Sequence, residues 1–321
     1  SKRMDEVGGV FIQAESELAA INMVFGAAAA GKRAMTSSSS PGISLKQEGI
    51  SYIAGCELPA VIVNVMRGGP GLGNIGPGQA DYFQATKGGG HGDYHNVVLA
   101  PASSQEMFEL TKRAFEIADK YRGPVMILAD GILGQMMEPI EISLPKNGRR
   151  DHVSSEYCRK EKAKTWALTG ARGRKPNVIK SLYLKEGELE GLNDRFQKKY
   201  EVIKKYETKF ENYKTKDADI IIVAYGTSSR ISKACVDRLR NNNIKAGLFR
   251  PISLWPFPYK ELKMLDKGKT KFLAVEMSAG QMVEDVRLAV ENDKRVSFYG
   301  RTGGGVPTEE AIIKMVSKQK R

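Results

Sequence analysis

The sequence predicts an α/β protein of two doubly wound domains, on three observations. Two continuous apolar runs, "PAVIVNVMR" (59–67) and "GPVMILADG" (123–131), have the length and composition of parallel strands covered on both faces. Between them, "SSQEMFELTKRAFEIADKY" (103–121) opens with a capping box and continues with a helical apolar period. From Asp217 the alternation restarts, with "DADIIIVAYGTSS" as a strand and polar loop and "RISKACVDRLRNNN" as a helix.

The remaining elements follow in order. "AESELAAINMVFGAAAAG" (14–31) has an acidic first turn and closes at Gly31. Small residues on nearly all its faces predict a buried helix. "RAMTSSSSPG" reads as a strand entering a Ser/Pro/Gly loop, and "SLKQEGISYIAGCE" as a second helix. Residues 146–216 change character: "TGARGRKP" is a turn cluster, and a long Lys/Glu/Tyr helix is expected at 186–214. "IKAGLFRPISLWPFP", "KFLAVEMSAG", a helix from Gln281, "RVSFYGRTGGG" and "PTEEAIIKMVSKQ" complete the second unit. The expected division is 1–145 as the first domain, 146–216 as a basic connector packed along the surface, and 217–321 as the second domain.

Composition narrows the function. No window of about 18 apolar residues occurs, which argues against a membrane span. The start "SKRMDEVGG" lacks the apolar core of a signal peptide, so the expected location is the cytoplasm. Cys56, Cys158 and Cys235 are scattered without CxxC spacing, too few for an iron–sulfur cluster, which takes about four thiolates. The net charge is +13, and residues 146–217 hold 20 basic against 11 acidic side chains. That block has neither interleaved aromatic platforms nor a helix-turn-helix or zinc-finger pattern, which argues against nucleic acid. It reads as a solvated basic face or a docking surface for an acidic partner.

The stretch Met66 to Tyr94 holds ten glycines and a literal GxGxxG at Gly71, Gly73 and Gly76. A dinucleotide fingerprint needs a helix directly after that turn, and Pro77 and Gly78 stand there instead. The informative residue is Arg67, at the carboxyl end of a strand, where open α/β sheets bind ligands. Beside Gly68 and Gly69 it is placed to clamp a small carboxylate while backbone approaches closely. Glu15 and Glu17 open the alanine-rich helix and complement its dipole. Glu17, followed by "LAAINMVFGAAAAG", is expected to have a raised pKa and to be able to share a proton with a ligand nitrogen. "TSSSSPG" (36–42) is either a turn capping the next helix or a loop facing a bound heterocycle. His91 and His95 read as exposed bystanders or substrate-facing groups, and His152 is the third histidine. "YGTSSR" (225–230) either seats an anion at a helix start or is a capped connection needing no ligand.

Two quoted stretches carry a family resemblance. "QAESELAAINMVFGAAAAGKRAMTSSSSPGISLKQEGISYIAG" followed by "VNVMRGGPGLGNIGPGQADYFQATKGGGHGDY" resembles the alpha subunit of 2-oxoacid:ferredoxin oxidoreductases, nearest the 2-ketoisovalerate type. "DADIIIVAYGTSSRISKACVDRL" and "GLFRPISLWPFP" resemble that family's transketolase-C-terminal-like domain. The resemblance implies a pyrimidine-side thiamine diphosphate domain at 1–145. It implies oxidative decarboxylation of a 2-oxoacid to acyl-CoA and CO2 with ferredoxin reduction. Mg2+ and Fe–S clusters are implied to lie on sister beta and gamma/delta-type subunits, without which the chain is inactive. By position, Glu17 resembles the glutamate that meets the aminopyrimidine, and Arg67 the arginine on the 2-oxoacid carboxylate. Ser38, Ser39, Ser40, Pro41 and Gly42 match the loop beside the pyrimidine, and Gly68 and Gly69 the substrate pocket. The family opens with a "YPITP"-like segment that does not stand in this sequence, so a truncated, catalytically silent assembly subunit is the competing expectation. Specificity for 2-oxoglutarate or pyruvate is another. Lys87 is the one cation in reach for a second substrate carboxylate.

Overall fold

A computed structural model describes residues 3–142 and 164–319. In the first half α1 (Glu17–Ala29), β1 (Met35–Ser39), α2 (Ser40–Gly55), β2 (Ala60–Met66) and α3 (Tyr82–Thr86) come first. They are followed by β3 (Val97–Leu99), α4 (Ser104–Tyr121), β4 (Pro124–Asp130) and α5 (Gly131–Gln135). Beyond the gap lie α6 (Glu188–Glu207), β5 (Phe210–Tyr213), β6 (Ile220–Val223), α7 (Gly226–Asn241), β7 (Ala246–Pro251) and β8 (Ser253–Trp255). The chain ends with α8 (Tyr259–Lys263), β9 (Lys271–Glu276), α9 (Met282–Ala289), β10 (Val296–Gly300) and α10 (Glu309–Gln319).

Two five-stranded sheets result, ordered β1-β2-β4-β3-β8 and β10-β9-β6-β7-β5. Each is parallel except for one antiparallel edge strand, β8 on β3 and β5 on β7. Every residue of β4 is buried, as are six of the seven in β2, which explains their unbroken apolar sequence. Helices cover both faces, and α1 meets α2 closely because Gly49 has no side chain. A Cβ there would lie 2.5 Å from Ile21 Cγ2.

Four expectations differ from the structure. The alanine-rich helix buries only Ile21, Val24, Ala28 and Ala29, while Leu18 and Met23 are about half exposed. One stripe is enough to cover the sheet, and the opposite face is left outward. The long helix ends at Glu207 rather than 214. Its last turn is anchored by Glu207, and Phe210–Tyr213 pairs along β7 instead. Nor does that helix merely lie along the surface. Leu192, Phe196, Tyr200 and Ile203 form a helical stripe in the core. Both edge strands also cross the expected boundaries: β5 precedes residue 217, and β8, from the second half, completes the first sheet. Cys158 and His152 lie outside the described residues, and Cys56 and Cys235 are buried free thiols.

Glu207 is 1% exposed and accepts from Arg113 (2.8 Å), Tyr121 (2.9 Å) and Lys120 (3.2 Å). Burial pushes its carboxyl up, but these donors outweigh burial and hold it below the usual carboxylate value. A lowered folded-state pKa stabilises above the unfolded value and is lost as pH falls through the folded one. Glu207→Gln is therefore expected to cost about 1–3 kcal/mol at neutral pH. The loss should shrink as pH drops below the carboxylate range, read by thermal melts across pH.

Candidate active site

Four parallel strands of the first sheet end on one side, and the residues of interest gather at the ends of β1 and β2. Ser16 caps α1, its hydroxyl accepting from the Ala19 N–H at 3.2 Å, which sets Glu17 in the first turn, half-buried. Ser39 is the N-cap position of α2, and Pro41 stands in its first turn. The expected Ser/Pro/Gly loop is thus a strand end running straight into a helix. Proline there favours the helical φ and needs no N–H acceptor.

Gly42 marks the convergence of three elements. A Cβ added there would fall 2.1 Å from Ser38 Oγ, 2.7 Å from Glu17 Cγ and 2.9 Å from Glu17 Oε1. The carboxylate from α1 and the hydroxyl from β1 therefore meet over the first turn of α2, in a space only glycine leaves open. Ser40 ties this corner to β2 by accepting the Arg67 N–H at 3.1 Å. Arg67 is half-buried, and among the described residues its buried Nε has no hydrogen-bond partner. A guanidinium N–H left so is a site for an anion.

The glycine stretch after Arg67 closes on itself rather than wandering. Arg67 bridges Pro77, the Gly68 N–H donates to the Gly76 carbonyl at 2.9 Å, and the Asn74 N–H donates to the Gly68 carbonyl at 3.0 Å. At Gly73, with φ +62°, a Cβ would lie 1.8 Å from the Gly68 carbonyl oxygen. Asn74 Nδ2 reaches the Gly303 carbonyl at 2.9 Å, docking the loop on the second half of the chain. Leu72 and Ile75 stand outward at its tip, each 83% exposed. The turn leads only to the five-residue α3, so the GxGxxG geometry of a dinucleotide site is absent here.

Other candidates lie elsewhere or are already engaged. Glu15 and His91 are exposed. The His95 ring stacks on Trp255 with centroids 4.6 Å apart, and its backbone N–H donates to Tyr200 Oη at 2.9 Å. Burial lowers its pKa. It precedes β3 and so sits at the opposite end of the sheet from Arg67. Lys87 pairs with buried Asp285 at 2.5 Å, an acid that also accepts from Tyr82 (2.6 Å) and Tyr259. The helix start at "YGTSSR" is filled from within. Asp130 accepts from the Thr227 N–H (3.2 Å) and hydroxyl (2.8 Å), while also capping α5 through the Ile132 and Leu133 N–H groups. Glu276 does the same at α9 for the N–H groups of Gln281, Met282 and Val283.

Two residues here went unnoticed in the sequence. Asp130 was visible only as an acid ending a strand. Lys46 occupies the apolar stripe Ile43–Lys46–Gln47–Ile50 of α2 and is 1% exposed. A lysine at a core position of the helical period was the available signal.

Comparisons with known proteins agree with this geometry. The fold superposes on 2-oxoglutarate:ferredoxin oxidoreductase from Magnetococcus marinus with a TM-score of 0.83 at 24% identity, over all of this chain and 59% of that one. A split-gene transketolase gives a TM-score of 0.58 at 15% identity, over 96% of this chain and 83% of that one. Both likenesses are of the fold: α/β units built on mainly parallel sheets. Residues 1–210 match the thiamine diphosphate-binding model of pyruvate flavodoxin/ferredoxin oxidoreductases, and 218–312 match core domain II of pyruvate:ferredoxin oxidoreductase. Ketoisovalerate oxidoreductase subunit VorB of Methanothermobacter marburgensis is 52% identical over 310 residues, 97% of this chain and 85% of the relative. The 2-oxoglutarate synthase subunit KorA of Archaeoglobus fulgidus is 37% identical over 305 residues, 92% and 83% respectively. The chain belongs to this family: it is a thiamine diphosphate-binding subunit of a 2-oxoacid:ferredoxin oxidoreductase. Among the described residues no helix is long and apolar enough to cross a membrane.

Proposed function

We propose that this chain forms the pyrimidine side of the active site in a complex that oxidises a branched-chain 2-oxoacid, such as 2-ketoisovalerate, to acyl-CoA and CO2. Ferredoxin is the acceptor, with Mg2+ and Fe–S clusters on sister subunits. The observation that carries this reading is the Gly42 cradle, where Glu17 and Ser38 meet, with Arg67 joined to the same corner through Ser40 and its Nε without a hydrogen-bond partner among the described residues. When bound, thiamine diphosphate supplies the nucleophilic carbon and the electron sink for decarboxylation. Glu17 would share a proton with the aminopyrimidine nitrogen. Ser38 to Gly42 would line that ring, with glycine at 42 admitting it. Arg67 would hold the substrate carboxylate bidentately, with Gly68 and Gly69 closing backbone around it.

Two further observations support the division of labour. The strand-end helices α5, α7 and α9 have their starts taken by Asp130 and Glu276, so a diphosphate is better seated on a sister subunit. The exposed apolar tip, Leu72 and Ile75, beside the open site fits a partner chain. Substrate class follows from charge. Residues 68–86 hold no Lys, Arg or His, and Lys87 is committed to Asp285, which suits an aliphatic rather than a dicarboxylic substrate. Buried free thiols at Cys56 and Cys235 suit a reducing cytoplasm.

The test is a substrate panel on the complex assembled with its sister subunits, followed by CoA-dependent reduction of ferredoxin. We expect 2-ketoisovalerate to lead pyruvate and 2-oxoglutarate in kcat/KM. A lead for 2-oxoglutarate would sink the substrate assignment. Arg67→Lys should lower kcat/KM about 10–100-fold by losing the second hydrogen bond to the carboxylate. The loss should appear for every 2-oxoacid.

A further inference from the structure

The ammonium of Lys46 donates to Thr36 Oγ1 at 2.9 Å and to the Ser37 carbonyl at 3.3 Å. Both acceptors are neutral, and neither compensates a buried cation. Lys46 lies one helical turn beyond Gly42, on the same face of α2, and so beneath the place where Glu17 and Ser38 meet. α2 packs on α1, β1, β2 and β4, and the loop 89–91 meets it at Gln47 and Ser51. Along the first three, Glu17 is the one ionisable side chain. On β4 the sole acid is Asp130, whose carboxylate is engaged by Thr227 and α5. On α2 itself, Glu48 accepts from Tyr52. Among the described residues of these elements, Glu17 is thereby the anion left to face Lys46; burial lowers the Lys46 pKa, and the charge of Glu17 opposes that lowering.

We propose that Lys46 is the buried counter-charge of Glu17, a positioning residue that holds the Glu17 side chain oriented toward the cofactor ring. The proposal rests on the Glu17 reading above and deepens it. One turn along α2 from Gly42, the ammonium attracts the Glu17 side chain from the β1 side. Thr36 and the Ser37 carbonyl hold the ammonium in place.

Two measurements on the assembled complex test this. The first is thermal unfolding without cofactor of wild type, Glu17→Gln, Lys46→Met and the double variant. Glu17→Gln should lower Tm by stranding a buried ammonium, and adding Lys46→Met should restore most of that loss. Strictly additive losses would overturn the pairing. Should Lys46→Met fail to assemble, Lys46→Gln keeps a hydrogen bond to Thr36 without the charge and serves in its place. The second is calorimetry of thiamine diphosphate binding with Mg2+. Removing Lys46 should weaken binding about tenfold, because Glu17 is then no longer held toward the ring. Thr36→Val, which keeps the charge, should bind within about twofold of wild type. If Glu17→Gln binds cofactor with wild-type affinity, the cofactor role of Glu17 fails. If Glu17→Gln is impaired while the Lys46 variants superpose on wild type, only the Lys46 inference fails.

Discussion

Replacing Glu17 with Gln in the assembled complex is expected to slow CoA-dependent oxidation of the 2-oxoacid about 10²–10⁴-fold, the usual range for a positioned acid–base group. Gln matches Glu in size, so the cradle at Gly42 keeps its shape, with Ser38 Oγ still opposite. What is lost is the ability to exchange a proton with a ring nitrogen, since an amide does neither at neutral pH. The loss should therefore fall on kcat, with the KM for the 2-oxoacid little changed, because Arg67, the proposed anchor of the carboxylate, is untouched. Subunit association, followed by size-exclusion chromatography, should persist. A variant that keeps its full rate would remove Glu17 from the chemistry.

The largest expected stability effect lies at Asp130, where the two halves of the chain meet. Its carboxylate takes the Ile132 and Leu133 N–H groups at 3.1 and 3.2 Å and the Thr227 N–H and hydroxyl at 3.2 and 2.8 Å. Asp130→Ala leaves these buried donors without an acceptor, and we expect a cost of about 3–5 kcal/mol in denaturant unfolding. Burial raises the Asp130 pKa against the opposing pull of those same donors. A raised folded-state value gives a contribution that is complete below the unfolded pKa and lost as pH rises through the folded one. Asp130→Asn should thus be milder than Ala, and the variant should lose that part of the pH dependence. The slope is opposite to that at Glu207, where the donors outweigh burial. Stability of Asp130→Ala within about 0.5 kcal/mol of wild type would show that the seam does not depend on this acid.

Much of the fold was legible because its signals are local. The apolar runs ending in Arg67 and Asp130 read as parallel strands because burial on both faces removes the alternation of a half-exposed sheet. Helix α4 announced itself by its Ser103–Glu106 capping box, and the structure has that cap at 3.1 Å. What failed was non-local. Nothing within "KFENYK" says that these residues pair with Leu248–Pro251, so helix-favouring neighbours carried the expected helix too far. At the candidate site, Glu17 and Arg67 were singled out by unusual chemistry in apolar or glycine-rich settings, and the run from Ser38 to Gly42 by the family resemblance. Lys46 was passed over because Lys46 and Gln47 look like the polar face of α2 until β1 is seen against them. The anion seat at "YGTSSR" could not be decided without the tertiary partner that fills it.

The short strand β8 bears on how the protein is made. Until the ribosome has passed Trp255, the β3 edge of the first sheet has no partner, and its buried residues Val98 and Leu99 lack their cover. The amino-terminal half therefore cannot complete its sheet as it emerges, and that edge stays open to pairing with other chains until β8 arrives. The same dependence means that dividing the gene near residue 217 would yield two fragments, each missing an edge strand carried by the other. Expressed together they could reassemble, whereas each alone is a candidate for aggregation.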